Sequence, residues 1–389
     1  MRECWCGDPA PLQPFGPDYG HCRACGTLVC LKGLSDEALR VRDDETDFYG
    51  KKYWLSYQDE AFGYPGFHAR ARADLPERDL FWLKALLKYC LPPADVLELG
   101  CAHGGFVALL QLAGFHASGS EMSPWVVEYA RRTFGISVSV GTMESLGLPE
   151  ASLDVIALMD VIEHIPDPVA AMRHGLERLR APGIFVIQTP HFVEERSYDS
   201  LIQSGDPFLA QLKPEEHLYL FSQRAAREFF ARLGAPYVSF EPAIFAHYDM
   251  FLVASRAPLV PREPDAAAKA LMATPGGRMA LALLDLEERR AAEVKARDED
   301  LDGTRRMVRL TEENRDYWRA QAELQQREHE SWKSQAERYQ EEVRCWLDEA
   351  QQARKERDAT RALAQQREAE LARLKSRWWY RLGAKLGLQ

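Results

Sequence analysis

DVLELGCAHGG, residues 95–105, joins a short apolar run broken only by Glu98 to a turn containing Gly100, Gly104 and Gly105. A run of this length closed by glycines reads as a buried strand ending in a tight turn, where the backbone can approach a ligand closely. FVALLQLAG (106–114) continues it as a helix stopped by Gly114. The alternation then repeats. HASGSE (116–121) is a second strand, and SPWVVEYARRTFG (123–135) is a helix with Ser123 as its cap and Pro124 in its first position. ISVSVG, LDVIALMD and GIFVIQTP supply further strands, with a helix over PVAAMRHGLERLR before the last of them. Repeated strand–helix units predict an α/β fold with a parallel sheet covered on both faces. Its ligand crevice belongs at the strands' carboxyl ends.

Glu121 ends the second strand 21 positions beyond Gly100, where a carboxylate can hold both ribose hydroxyls of a nucleoside. The turn is not Gly-x-Gly-x-x-Gly, and Glu98 two residues ahead of it would repel a pyrophosphate. That charge suits a ligand carrying an ammonium group instead.

These stretches resemble the class I S-adenosylmethionine-dependent methyltransferases. The resemblance rests on VLELGCAHGGF, SGSEMSP, LDVIALMDVIEHIPDP and GIFVIQTP, in that order, and covers about residues 80–255. It implies a Rossmann-like domain with S-adenosylmethionine as cofactor. Glu98, Gly100 and Gly104 would line the methionine end, Glu121 would hold the ribose, and Met122 would lie beside the adenine. Met143 and Glu144, in GTMESL, match the segment that covers that ring, and Asp160 would face the transferable methyl. More narrowly, HCRACGTLVC, FYGKKYW and EEHLYLFS are similar to segments of bacterial methyltransferases of sugar, polysaccharide and natural-product biosynthesis. The implied acceptor is a small molecule or a glycan. Methyl transfer needs alignment and a base for the acceptor's proton. His217 in EEHLYLFS is the first candidate, followed by His164 and His191, each at a carboxyl strand end. The competing reading is a non-catalytic, cofactor-binding assembly protein organised by a coiled coil near a membrane.

Five of the eight cysteines lie within the first 30 residues. Cys22 and Cys25 have the spacing of half a zinc knuckle, and Cys4 with Cys6 would complete four ligands, although one intervening residue departs from the usual pair. One structural zinc and a metal-free remnant are both compatible with this pattern.

All 22 prolines lie at or before Pro275, and beyond them helix-forming residues dominate. A 3-4 spacing runs from Trp332 through Tyr339, Val343, Trp346, Ala350, Ala353, Arg357 and Ala364 to Leu371, Leu374 and Trp378. This predicts a coiled coil and a homo-oligomer. The last 19 residues hold five basic and no acidic residues beside Trp378, Trp379 and Tyr380, which suits peripheral contact with a membrane or docking on the coiled coil itself. A net charge of −10 argues against nucleic-acid binding. The start lacks the layout of a signal peptide, so the expected location is cytoplasmic, with the tail at the inner membrane surface. The expected segments are a Cys-rich, zinc-ribbon-like piece (1–34), an aromatic connector (35–93), the methyltransferase domain (94–256), a linker (257–276), the coiled coil (277–376) and the basic tail (377–389).

Overall fold

The computed structural model describes residues 2–63, 65–328 and 336–385, with side chains omitted at 62, 264, 320–328, 336–341, 371–372 and 374–385. The chain forms two compact units, Met1–Arg289 and Arg290–Gln389.

The first unit is built on a seven-stranded sheet. Strands β4 (Asp95–Leu99), β5 (His116–Glu121), β6 (Val138–Val140), β7 (Leu153–Met159) and β8 (Leu179–Pro190) are parallel, while β10 (Tyr237–Glu241) and β11 (Asp249–Ser255) form an antiparallel edge. Their order across the sheet is β10-β11-β8-β7-β4-β5-β6. The chain winds outward in both directions from β4 and β7, so the crevice at a topological switch point opens between their carboxyl ends. Apolar side chains fill both faces. Val96, Val155, Val186 and Val253 enter one cluster, while Leu97, Ile156, Phe185 and Leu252 enter the other.

The local signals act as their chemistry requires. Helix α1 (Gly105–Ala113) stops at Gly114 with φ +100°, and α2 (Pro124–Phe134) starts with the Ser123 hydroxyl accepting from Val126 N–H. A strand–helix alternation read from apolar periodicity thus becomes the Rossmann-like domain.

The cysteine-rich start is not a separate bead. Strands β1 (Gln13–Phe15), β2 (Tyr19–Cys22) and β3 (Thr27–Cys30) form an antiparallel sheet whose fourth strand is β9 (Tyr219–Leu220). The segment read as a linker is also structured. A helix spans Pro264–Leu271, and Leu271 and Ala280 are buried in the main core.

In the second unit, α3 (Pro275–Glu328) from Arg290 onward and α4 (Ala336–Lys385) run antiparallel. Arg297 meets Glu368, Glu312 meets Arg357, and Trp318 stacks on Trp346 at 5.4 Å. Ala350, Ala353, Arg357 and Ala364, all on the expected seam, are the half-buried positions of α4 among its described side chains. The seam is therefore partly covered by a helix of the same chain. A 3-4 stripe specifies that a partner exists without specifying its direction. Val343 and Trp346, also on the seam, are exposed, and Trp332, Tyr339, Leu371, Leu374, Trp378, Trp379 and Tyr380 lie outside the described side chains. No helix among the described residues is long and apolar enough to cross a membrane.

Candidate active site

A cavity of about 280 Å³ lies at the carboxyl ends of β4 and β7, closed on its other side by the 53–82 region and by residues 211–217 and 245–249. Gly100 turns the chain there at φ +61°, and an added Cβ would meet Val161 Cγ2 at 2.7 Å. Ala102 (φ +44°) and Asp160 (φ +58°) also take the left-handed region beside the cavity, a conformation that costs a non-glycine residue about 1–3 kcal/mol.

Of the expected cofactor residues, Glu98, Gly100 and Asp160 line the cavity. Glu98 is buried, and its Oε2 has no hydrogen-bonding partner among the described residues. Asp79, in the segment just before the helix Leu80–Leu87, is likewise buried with Oδ2 unpartnered. Burial pushes the Asp79 carboxyl up to about 8, and burial with the nearby Asp79 pushes Glu98 well above the usual range. Buried polar atoms are ordinarily paired, so two orphaned acid oxygens in one cavity mark a place for a cationic ligand. Asp160 is instead engaged, accepting from Gln188 Nε2 at 3.0 and 3.1 Å and lying 3.5 Å from Arg78.

The remaining expected cofactor residues stand outside the cavity lining. Gly104 is the left-handed cap of α1, packed against Ile136 and Ala130. Glu121 is buried and folds back on its own turn, accepting from the N–H groups of Met122 at 2.7 Å, Ser123 at 3.3 Å and Ala102 at 3.2 Å. Met122 is half-buried, Met143 is buried in the core, and Glu144 is exposed on a short turn. Asp44 of the connector lies over this edge, accepting from the Ser123 hydroxyl at 2.6 Å and Trp125 N–H at 2.9 Å.

The histidines separate. His164 and His217 line the cavity with ring centroids 4.9 Å apart and edge to face. Burial holds His164 down to about 3 and His217 well below its ordinary value, so both rings are neutral at pH 7. His217 Nδ1 lies 2.7 Å from the Gln211 carbonyl, so it carries the proton and leaves Nε2 with a lone pair. His191 follows β8, where its N–H donates to Tyr248 O, and it is not part of the cavity wall.

Several site residues carried little signal. Tyr53 donates to Glu216 Oε2 at 3.1 Å, and Glu216 Oε1 is buried without a partner beside His217. Glu163, adjacent to His164, is fully buried. EEHLYLFS and DVIEHIPDP contained both acids next to flagged histidines, whereas nothing around Asp79 distinguished it from an acid on a helix surface.

The four N-terminal cysteines converge. Cys4 Sγ lies 3.4 Å from Cys25 Sγ, Cys6 Sγ lies 3.5 Å from Cys22 Sγ, and all four sulfurs are within 4.8 Å of one another. Gly7 N–H bonds to Cys4 O, and Gly26 N–H to Cys22 O, with both glycines at positive φ. Two such turns facing each other form a tetrahedral set that could hold zinc.

Residues 72–239 match the family model described as a methyltransferase domain. The chain is 31% identical over 98 residues to a "Probable S-adenosylmethionine-dependent methyltransferase" of Mycolicibacterium smegmatis, covering 25% of this chain and 38% of that protein. It is 25% identical over 155 residues to the ubiquinone biosynthesis O-methyltransferase of Xanthomonas campestris pv. campestris, covering 37% of this chain and 64% of that one. The chain therefore spans less than two thirds of the length of these relatives. Among solved structures, a SAM-dependent methyltransferase from Thermotoga maritima overlaps 52% of this chain and 100% of its own, at 18% identity and a TM-score of 0.37.

The raised Asp79 carboxyl makes a stability prediction. Its folded value of about 8 lies above the ordinary 3.8 of an aspartate carboxyl. The folded state thus keeps a proton that the unfolded chain releases first, and stability is lost as pH rises from about 4 to about 8. In the ligand-free protein, Asp79→Asn should raise the melting temperature at pH 8 more than at pH 5. An equal effect at both pH values would show that Asp79 is not a buried titrating group.

Proposed function

Because residues 72–239 make this chain a member of the class I S-adenosylmethionine-dependent methyltransferases, we propose that it transfers a methyl group to a hydroxyl-bearing, carbohydrate-like small molecule or glycan end. The observation that carries the reading is the division of the cavity wall. Unpartnered acids stand at one end, Glu98 and Asp79, and a neutral imidazole pair at the other, His164 and His217.

The cofactor is a cation at its sulfonium and at its α-ammonium. Glu98 and Asp79 would supply the counter-charge for the ammonium, and Arg70 and Arg78, which also line the cavity, would supply positive charge for the neighbouring carboxylate. When bound, S-adenosylmethionine supplies an electrophilic methyl carbon. What this chain contributes is placement of the acceptor oxygen in line with it, and removal of the oxygen's proton. His217 is the group for that proton, since its Nδ1–H is held by Gln211 and its Nε2 keeps a free lone pair. Glu121 would hold the ribose, its carboxylate kept in place by the Ala102, Met122 and Ser123 amides. The oxygen acceptor is supported by the O-methyltransferase relatives. The glycan class is supported by the likeness of the cysteine cluster, FYGKKYW and EEHLYLFS to sugar-modifying enzymes. The cysteine set would hold one zinc, leaving no open position for catalysis. Its place in the β1-β2-β3-β9 sheet makes it a brace for the segment that carries His217.

Two outcomes test this. His217→Ala should lower turnover by about 10²–10⁴-fold with cofactor affinity near normal, while Glu121→Ala should weaken cofactor binding at least a few-fold in titration calorimetry. Near-native turnover in the first variant, or unchanged affinity in the second, removes that residue from its role. Elemental analysis after exhaustive dialysis should find a zinc that is lost in Cys22→Ser/Cys25→Ser. Zinc content unaffected by that double substitution would reject the cysteine site.

A further inference from the structure

The acceptor end of the cavity has a second chemical character. One ring nitrogen from His164, one from His217 and a carboxylate oxygen of Glu163 all lie within 4.8 Å of one another. The outward side of each ring is already occupied. His217 Nδ1 meets the Gln211 carbonyl at 2.7 Å, and His164 Nδ1 meets the Tyr49 hydroxyl at 2.9 Å. Gln211 leaves the His217 Nε2 with a lone pair, and the His164 Nε2 is 4.0 Å from Glu163 Oε1. Glu163 is fully buried, with Oε2 accepting from Thr189 Oγ1 at 3.0 Å and Oε1 without a hydrogen-bonding partner among the described residues. Metal-binding imidazoles ordinarily engage a carbonyl or another oxygen through their second nitrogen, and ligating carboxylates are themselves hydrogen-bonded. Both outer arrangements are present here.

We propose that Glu163, His164 and His217 bind one divalent first-row transition cation whose open positions face the cavity and take the acceptor's oxygen. Two imidazoles and one carboxylate suit such ions and leave room for exogenous ligands. Ligand atoms about 2.1 Å from an ion stand closer together than 4.8 Å, so the three groups draw in when it binds. The surroundings favour a cation. Glu216 and Asp249 share this wall and balance Lys213, and Glu216 Oε1 is itself unpartnered.

This deepens the methyltransferase reading and rests on it. His217 then acts through the cation rather than on the proton directly. A hydroxyl bound to the ion becomes more acidic, and its proton passes to Glu216. The oxygen lone pair attacks the sulfonium methyl carbon as the carbon–sulfur bond breaks. Its electron pair returns to sulfur, leaving a neutral thioether and an O-methyl product.

The test uses the full-length protein, dialysed against chelator and titrated with Mn²⁺ by electron paramagnetic resonance, without cofactor or acceptor. Thiolates select softer ions, so Mn²⁺ reports the nitrogen–oxygen site rather than the cysteines. The expected result is one bound Mn²⁺ per chain, weakened about tenfold or more in Glu163→Gln and in His164→Asn. Calorimetric binding of S-adenosylmethionine by these two variants shows that they are folded. Wild-type protein that binds no Mn²⁺, or folded variants that bind it as wild type does, would overturn the proposal. Loss of cofactor binding with Mn²⁺ binding intact would count against the methyltransferase reading instead and leave the cation site standing.

Discussion

Glu98 sits near the end of a strand that is buried on both faces, and one of its carboxylate oxygens reaches the cavity without a partner. An isolated buried carboxylate is among the costliest features a fold can carry, and it is relieved by neutralisation or by a cation. Asp79, lining the same cavity, repeats the situation. The ligand-free protein therefore holds protons at this end that a cationic ligand can displace. Cofactor selection follows from that, because a pyrophosphate would add negative charge where a cation is wanted. The sheet makes the arrangement possible. The switch point between β4 and β7 brings the strand-borne Glu98 and the turn-borne Asp160 and Glu163 to one edge, while Gly100 keeps the backbone thin enough for a ligand to approach.

The other end of the cavity is organised by contacts far apart in sequence. Cys30 N–H bonds to Leu218 O, Tyr19 Oη donates to His217 O, and Leu218 N–H bonds to Glu163 O. The cysteine-bearing hairpin, the histidine segment and the turn after β7 are thus tied together. A metal held by the four thiols would therefore bear on the placement of His217, although the cysteines themselves stand outside the cavity lining.

Much of this was legible in the sequence, for identifiable reasons. Strand and helix periods, the Ser123–Pro124 cap and the Gly114 stop are local signals, and local chemistry decides them. Glu98, Gly100 and His164 were readable as cavity neighbours because motif position fixes which end of a strand they occupy, whereas the pairing of His164 with His217 was not. Asp79 and Glu163 were not, because an acid next to a helical stretch looks solvated until tertiary packing buries it. The pairing of β3 with β9 was invisible as well, since Val29 and Tyr219 meet across nearly half the chain. The C-terminal stripe showed that α4 needs a partner, but 3-4 spacing is the same whether that partner is parallel, antiparallel or part of the same chain.

The central claim is that buried acids at the carboxyl end of β4 receive the cationic end of S-adenosylmethionine. Titration calorimetry at pH 7, in two buffers of different ionisation enthalpy, tests it most directly when that ligand is compared with 5′-methylthioadenosine, which lacks both the sulfonium charge and the amino-acid end. Asp79, raised to about 8, is protonated before binding and gives up its proton to a neighbouring positive charge. The expected result is proton release with S-adenosylmethionine, reduced in Asp79→Asn, and much weaker binding of methylthioadenosine without release. Equal affinities for the two ligands, with heats independent of buffer, would contradict it.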